Sequence, residues 1–157
     1  MKKIITLEGY DYITNLFSKL KKEKEHWVEE KRIAAEQGDR SENAEYQGAK
    51  ENIRNIDKRL YKLDYIIKNT TAVDTSKRAK SNIILFGGTV KLLQTAGEIE
   101  EELCIKIVGT HELVYTQKIT DCLCVSNISP LGSMLMRKEV GDDVDFKNIN
   151  YEILEIL

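Results

Sequence analysis

The chain has 157 residues, of which 41% are hydrophobic and 32% charged, and a formal net charge of −2. This length fits one ordinary domain or two small ones with a compact core. The sequence has no apolar run long enough to predict a membrane span and no signal peptide, so we expect a cytoplasmic protein that does not bind membranes. Residues 1–74 hold 15 basic and 14 acidic side chains, and residues 75–157 hold 9 and 12. Neither part is basic enough to bind free nucleic acid by counterion release alone.

The first predicted helix begins near Thr6, whose hydroxyl suits a helix N-cap, and ends at Gly38, which tolerates a left-handed backbone. Its inner face follows from apolar residues at three- and four-residue steps: Ile13, Phe17, Leu20, Trp27 and Ala34. Lys24 and Lys31 fall in the same register, so this apolar seam is imperfect. Such a seam favours an antiparallel helix pair within a monomer over an extended parallel dimer. We interpret Trp27 as a core residue.

A second predicted helix follows residues 38–46. Its apolar seam comprises Tyr46, Ala49, Ile53, Ile56, Leu60, Leu63 and Ile67, with the spacing of a coiled coil. Because the connection is short, the two helices must run antiparallel, which makes residues 1–74 a helical hairpin with its tip near residues 38–46. Helices of roughly 25–30 residues would each span about 40 Å.

Basic residues recur at four-residue steps in the second helix, at Lys50, Arg54, Lys58 and Lys62. We call these four residues the basic stripe. Side chains with this spacing lie along one helix face, where like charges repel by a few tenths of a kcal/mol per pair. One interpretation is a solvated face whose long side chains cover the seam. The other is a contact surface for a phosphate backbone, since the stripe leads toward the tip.

Residues 75–82 are polar and lack periodicity, which predicts a linker. Residues 83–157 then show short β-type runs, with candidate strands at 88–94, 102–108, 122–125, 143–147 and 151–156. Ser129 and Pro130 fit the start of a short helix that ends near Arg137. The predicted class is therefore α+β, with a twisted antiparallel sheet and one short helix after the hairpin.

The three cysteines, Cys104, Cys122 and Cys124, form an odd set without CxxC spacing or a nearby histidine pair. We expect buried reduced thiols here and no zinc site. His26 and His111 belong to no metal-ligand or triad pattern, so structural roles are expected for both.

Two interpretations of the tip acids remain open. Asp39 stands three residues ahead of Glu42, as in a capping box, and Ser41 is an alternative cap. The same spacing also directs two carboxylates outward together. Carboxylate oxygens suit Mg²⁺, which often takes only one or two of them together with waters and phosphates. Two carboxylates on an exposed tip bind Mg²⁺ weakly alone, but they suit a site completed by a partner.

The run Gly38-Asp39-Arg40-Ser41-Glu42-Asn43-Ala44-Glu45-Tyr46, followed by Lys50, resembles the tip signature of the bacterial Gre transcript-cleavage factors. Family landmarks continue downstream at residues 72–74, 86–90, 107–109, 129–132 and 138–142, so the resemblance covers nearly the whole chain. The pairs at residues 40–41 and 46–47, and residues 138–142, look more like GreB than GreA.

This resemblance implies a coiled coil that enters the secondary channel of bacterial RNA polymerase. It also implies a C-terminal domain of FKBP-like fold that docks on the rim coiled coil of the large subunit. Asp39 and Glu42 would help hold a second Mg²⁺ at the polymerase active centre, with Asn43 and Ser41 in support. The polymerase would then cleave its own backtracked RNA. The chain itself would be no enzyme and would hold no cofactor in isolation.

The resemblance also assigns binding residues. Lys50, Arg54 and Lys58 match the region where the family presents a basic patch to the RNA 3′ segment. Ser129, Pro130 and Leu131 match the polymerase-binding region. Departures from the family pattern include Glu51 and Asn52 after Lys50, and residues 148–150 in place of the usual Pro/Gly-containing turn.

Three other functions compete with this reading. A secondary-channel regulator would occlude the polymerase without promoting cleavage, but the chain retains Asp39 and Glu42. A peptidyl-prolyl isomerase would need a pocket rich in aromatic residues, and residues 75–157 supply few of them. A coiled-coil scaffold would explain the seam but not acidic and basic residues converging on one tip.

Overall fold

The computed structural model describes residues 2–38 and 43–157. Its elements in chain order are β1 (Lys3–Thr6), α1 (Leu7–Ala35), α2 (Ala44–Asn69), β2 (Thr70–Val73), β3 (Thr89–Ala96), β4 (Ile99–Val108), α3 (Leu113–Thr116), β5 (Leu123–Ser126), α4 (Pro130–Leu135), β6 (Asp143–Phe146) and β7 (Ile149–Ile156). The chain divides into two compact units: the described part of Asp11–Asn69, and the residues up to Tyr10 together with Thr70–Leu157. Among the described helices, none has the length and apolar character needed to cross a membrane.

The helical unit, Asp11–Asn69, is built on the two predicted seams. Ile13, Leu20 and Ala34 of α1 are buried, and Phe17 and Trp27 are half-buried. On α2 the seam positions are buried or half-buried throughout, with Ile56 and Leu63 at its centre and Ile66 added beside them. The fold class predicted for this half, an antiparallel helical hairpin, is confirmed.

The two lysines that interrupt the α1 seam find partners on α2. Lys24 Nζ lies 2.7 Å from a carboxylate oxygen of Asp57. Lys31 Nζ lies 5.7 Å from the centre of the Tyr46 ring, a cation–π distance. Because the higher-numbered residue of α1 meets the lower-numbered residue of α2, the helices run antiparallel. Polar interruptions therefore specify the pairing register of the hairpin.

The other unit begins with a strand pair that the sequence analysis did not predict. β1 and β2 pair in parallel, with Lys3 opposite Thr70 and Thr6 opposite Val73. The whole helical hairpin is the connection between them. Residues 3–6 and 70–73 consequently belong with the C-terminal unit, whereas the predicted boundary placed them, up to residue 74, in the hairpin. Residues 74–82, which include the predicted linker, form no helix or strand.

A five-stranded sheet in the order β5-β4-β3-β7-β6 makes up the rest of this unit. All five predicted strands are present, and three of the four pairings are antiparallel as predicted. The fourth pairing, between β4 and β5, is parallel. A parallel neighbour needs a crossover connection, and here residues 109–122, with a 3-10 turn and α3, bring the chain back to the same end of the sheet.

One face of the sheet carries the core of this unit. Val90, Leu92, Ile105, Ile107 and Ile153 are essentially inaccessible, and Leu135 of α4 packs against them. The predicted short helix is α4, which ends at Leu135 rather than Arg137. Pro130 stands at its start, and Arg137 has a positive φ of 66°, which no helix accommodates.

The prediction of three reduced cysteines is wrong for two of them. Cys104 and Cys122 form a disulfide, and Cys124 is free and buried. The parallel register of β4 and β5 explains the pairing, because Ile105 lies opposite Leu123. Cys104 comes one residue before Ile105, and Cys122 comes one residue before Leu123. Burial raises the pKa of the Cys124 thiol, an effect that nearby Lys106 opposes and Glu112 reinforces.

A fully buried carboxylate, Glu112, ties the start of α1 to the loop after β4. One carboxylate oxygen accepts the backbone N–H groups of Thr6, at 2.7 Å, and Gly109, at 2.8 Å. The other accepts the hydroxyls of Thr6 and Thr116. Thr6 Oγ1 in turn accepts the N–H of Gly9, as the predicted N-cap should. A Cβ at Gly9 would lie only 1.9 Å from Glu112, so this contact requires glycine.

Candidate functional site

The candidate site consists of the tip residues and the face of α2 that leads away from them. Asp39, Ser41 and Glu42, the residues proposed to act on a shared Mg²⁺, lie outside the described residues. Gly38 is the last described residue before them, and its φ of 136° is a backbone conformation that side chains other than glycine's rarely adopt. Glycine here therefore lets the chain leave α1.

Asn43 closes the tip from the other side. Its Oδ1 accepts the backbone N–H of Tyr46 at 3.1 Å, three residues into α2, which is the geometry of a helix N-cap. Its Nδ2 donates to the backbone carbonyl of Ala34, at the end of α1, at 2.7 Å. Asn43 thus fills the capping role that the sequence analysis considered for Asp39 with Glu42 or for Ser41. Asp39, Ser41 and Glu42 lie outside the described residues, so capping by them stays a prediction.

Three described charges near the end of α1 are matched within that helix. Arg32 donates to Glu29 and to Glu36, each at 2.7 Å, along the exposed face of the helix. The hydrogen bonds from Arg32 hold the pKa of Glu29 below its usual value. Arg32 is therefore paired with acids of its own helix, whereas Lys31 of α1 lies against the Tyr46 ring of α2.

The basic stripe forms a surface as the helical period predicts. Lys50, Arg54 and Lys58 are exposed and line one groove of about 590 Å³ on α2, together with Ile53, Asp57 and Tyr61. Two acidic residues on this face have cationic partners: Glu51 lies 3.2 Å from Arg54, and Asp57 pairs with Lys24. Within the part of the chain that the structure describes, Lys50, Lys58 and Lys62 form no ion pair. The face therefore keeps a net positive charge.

Tyr61 is the residue of this groove that the sequence analysis passed over. It is 79% exposed, unusually so for a tyrosine, and stands three residues after Lys58. The signal was available, because residues three apart on a helix are neighbours. Tyr61 was missed because apolar and aromatic residues were assigned only to the seam.

The three predicted polymerase-binding residues differ in how they are presented. The Ser129 hydroxyl is used internally: it accepts the N–H of Gly132 at 3.1 Å and donates to the Ser126 carbonyl at 2.7 Å, which caps α4. Leu131 packs against the core. Pro130 is exposed, and Ile128 and Met134 are exposed apolar neighbours in sequence.

The remaining candidate chemistries find little support. In residues 2–38 and 43–157, no three His, Cys, Asp or Glu side chains are grouped to hold a metal ion. A cavity of about 510 Å³ lies in the C-terminal unit, lined by Arg78, Lys80, Ile83, Leu85, Ile156 and others. None of the described residues that line it is aromatic, which disfavours an isomerase pocket there.

Comparison with known proteins identifies the class of protein: transcription elongation factors that have an N-terminal helical domain and a C-terminal domain. The family "Transcription elongation factor, N-terminal" matches residues 3–71, and "Transcription elongation factor, GreA/GreB, C-term" matches residues 79–157. The chain therefore belongs to the GreA/GreB family of transcription elongation factors.

Individual relatives match over nearly the full chain. Transcription elongation factor GreA of Nitratiruptor sp. is 38% identical, over 99% of this chain and 93% of the relative. GreA of Clostridioides difficile is 33% identical, over 98% and 94%. GreA factor homolog 1 (Gfh1) of Thermus thermophilus, a solved structure, aligns over 100% of this chain and 99% of its own at 17% identity, with a TM-score of 0.44. The resemblance of some motifs to GreB stays a prediction.

Proposed function

We propose that this protein enters the secondary channel of a bacterial RNA polymerase and stimulates Mg²⁺-dependent cleavage of backtracked RNA. The observation that carries the proposal is the Asn43 bridge. It fixes the two ends of the tip segment, Ala34 and Tyr46, to one another at the end of an antiparallel helix pair. A segment held at both ends by a rigid hairpin can be delivered into another protein's active centre, and this one carries Asp39 and Glu42.

The chemistry of the donor set suits the proposed role. Carboxylate oxygens are the ligands Mg²⁺ prefers, and it commonly takes one or two from protein with the rest from water and phosphate. In two-metal hydrolysis the second ion stabilises charge on the attacking or leaving oxygen. Asp39 and Glu42 would supply carboxylate oxygens, Ser41 and Asn43 would support the segment, and the polymerase would supply the other ligands. The chain alone is then expected to cleave no RNA.

The partners follow from the same proposal. The polymerase and the 3′ segment of nascent RNA would be bound together, with Lys50, Arg54 and Lys58 facing the RNA phosphates. Docking on the polymerase rim would use the exposed apolar residues Ile128, Pro130 and Met134, because the Ser129 hydroxyl and Leu131 serve the fold of this unit. A polymerase partner also makes the cytoplasm the expected location.

Cleavage of defined backtracked complexes tests the proposal. A bacterial RNA polymerase is assembled on a scaffold with a labelled, mispaired RNA 3′ end, and cleavage is followed with Mg²⁺, with and without the protein. We expect the protein to accelerate cleavage. Asp39→Ala and Glu42→Ala should each reduce that acceleration at least about tenfold, because even the loss of a side chain that only supports a ligand costs a metal site that much.

Glu36→Ala is the matched control, because Glu36 is also an exposed acid near the tip but pairs with Arg32 on its own helix. It should leave cleavage unchanged. A protein that binds the polymerase and slows elongation without accelerating cleavage would instead be the occluding regulator. Unchanged cleavage with Asp39→Ala and Glu42→Ala, at full occupancy of the polymerase, would overturn the metal role.

A further inference from the structure

Tyr61 lies in line with the basic stripe. It follows Lys50 by eleven residues, Arg54 by seven and Lys58 by three, which at about 3.6 residues per turn are close to three, two and one turns of helix. Tyr61 lines the same groove on α2 as Lys50, Arg54 and Lys58. The apolar seam lies to the side, at Leu60 and Leu63, and the 79% exposure of Tyr61 shows that its ring does not cover that seam.

The charges that surround Tyr61 favour an anionic ligand. Asp57, the acidic residue in this groove, is paired with Lys24 at 2.7 Å. Lys58 and Lys62, which flank Tyr61 in sequence, form no ion pair with any residue that the structure describes. Around the helix, Lys58 and Lys62 lie on one side of the Tyr61 ring, and Asp57 and Asp64 lie on the other. Asp64, like Asp57, is paired, with Lys68 at 2.7 Å. A ligand with regularly spaced negative charges would therefore meet unpaired cations beside an exposed aromatic ring.

This combination selects the class of ligand. Single-stranded nucleic acids are bound by cations that contact the backbone and by aromatic side chains on which unpaired bases stack. A duplex hides its base faces inside the helix, and an acidic peptide does not alternate flat bases with phosphates along its chain. An unpaired base can stack on the exposed ring while its neighbouring phosphates contact the lysines.

We propose that Tyr61 is a stacking residue for an unpaired base of the RNA 3′ segment, with Lys58 and Lys62 on the adjacent phosphates. The inference rests on the proposed function, since it names the RNA contact of the same hairpin. It adds a residue and a mode of recognition to the charge contacts of Lys50, Arg54 and Lys58. The contact involves the base face, so it is independent of base-pairing groups.

The position of Tyr61 makes the contact depend on RNA length. Tyr61 lies seventeen residues after Ala44, the first residue of α2, or about 26 Å along the helix axis at 1.5 Å per residue. An RNA 3′ segment of one or two nucleotides near the tip does not extend that far. Only a segment several nucleotides long reaches Tyr61. Long and short RNA segments are therefore substrates with and without the Tyr61 contact.

The test uses the full chain and backtracked polymerase complexes with either a two-nucleotide or a ten-nucleotide extruded RNA. Tyr61→Leu keeps an apolar side chain but removes the ring, and Tyr61→Phe keeps the ring but removes the hydroxyl. At protein concentrations below saturation, Tyr61→Leu should reduce stimulated cleavage of the long-segment complex about fivefold or more, the lower limit for loss of base–aromatic stacking. Tyr61→Phe should behave as the unaltered chain, and short-segment cleavage should be unaffected by either change.

Arg59→Leu is the matched control on the same turn. Arg59 is exposed but lies nine residues after Lys50, or two and a half turns, which places it on the opposite side of α2. It should leave both substrates unaffected. A further series of long segments carries one abasic nucleotide each, at a different position in each RNA. At one of these positions, the unaltered chain should cleave no better than Tyr61→Leu.

Each alternative outcome overturns the inference in a distinct way. Equal long-segment cleavage by Tyr61→Leu and the unaltered chain would reject the contact while leaving the proposed function intact. An equal loss on short and long segments would show that Tyr61 contacts the polymerase instead of RNA. Loss with Tyr61→Phe as large as with Tyr61→Leu would assign the effect to the hydroxyl. If the unaltered chain stimulated cleavage of neither substrate, the proposed function and this inference would be rejected together.

Discussion

The side-chain amide of Asn43 donates a 2.7 Å hydrogen bond to the backbone carbonyl of Ala34 at the tip of the helical hairpin. The same side chain caps α2 through the N–H of Tyr46. One residue therefore satisfies a free amide at the start of α2. It also adds a bond to the Ala34 carbonyl, which accepts the N–H of Gln37 at 3.2 Å as well. This contact joins the two ends of the tip segment.

Substitution of Asn43 separates its two bonds. Asn43→Asp keeps the cap acceptor but loses the donor to Ala34, and Asn43→Ala loses both. We expect Asn43→Asp to lower the free energy of unfolding by about 1 kcal/mol, the usual value of one hydrogen bond. Asn43→Ala should cost roughly 1 kcal/mol more, the value of an N-cap. Urea denaturation followed by circular dichroism measures both, and equal stabilities for Asn43→Ala and the unaltered chain would contradict the bridge.

Glu112→Gln should destabilise the C-terminal unit. Glu112 accepts four hydrogen bonds in a fully buried position, and bonds to a charged group are worth roughly 1.5–3 kcal/mol against 0.5–1.5 for neutral ones. We expect a loss of about 2 kcal/mol or more in thermal or urea unfolding. Glu101→Gln, at an exposed position of β4, should stay within about 0.5 kcal/mol. Similar losses for the two variants would argue against the buried network.

The disulfide between Cys104 and Cys122 predicts a thiol count. Unfolded in guanidinium without reductant, the chain should show one reactive thiol, Cys124, and with prior reduction it should show three. Reduction should also lower stability by about 3 kcal/mol, the chain-entropy value for a loop of this size. Titration with a thiol reagent gives the count directly, and three thiols before reduction would refute the pairing.

Cys124 should be slow to alkylate in the native protein. Burial raises the pKa of its thiol, so the neutral form is favoured in the fold. Because the folded-state pKa lies above the unfolded value, this preference stabilises the fold below the unfolded pKa and is lost as the pH rises through the folded pKa. Iodoacetamide labelling from pH 7 to 10 should be much slower in the native than in the unfolded chain. Equal rates in the two states would contradict burial of Cys124.

The hairpin seam should depend on its apolar residues far more than on its ion pair. Leu63 is 1% exposed, and Leu63→Ala should cost about 2–5 kcal/mol, as for other buried leucines. Lys24 and Asp57 are 39% and 50% exposed, so Lys24→Ala should cost no more than about 1 kcal/mol. Thermal unfolding of the two variants makes the comparison. A larger loss for Lys24→Ala would show that the ion pair, rather than the seam, holds the helices together.

The sequence alone determined what depends on local spacing. The period of the apolar residues specifies α1 and α2 and the face by which they meet, because side chains three and four residues apart share a helix face. The same rule placed the basic stripe, and period-two runs located the five strands of the sheet. These features need only a few neighbouring residues to be recognised.

Only the tertiary structure decided the contacts between distant residues. Thr6 and Glu112 are separated by 106 positions, β1 and β2 pair across the entire hairpin, and Cys104 meets Cys122 because β5 returns in parallel. None of these contacts joins residues at a regular short spacing, so no pattern in the sequence predicts them. Asn43 shows the same limit over a short range, because the sequence analysis considered Asp39 with Glu42, or Ser41, as caps and did not consider Asn43. Its bond to the carbonyl of Ala34 could not be predicted, because only the folded hairpin brings these two residues within reach.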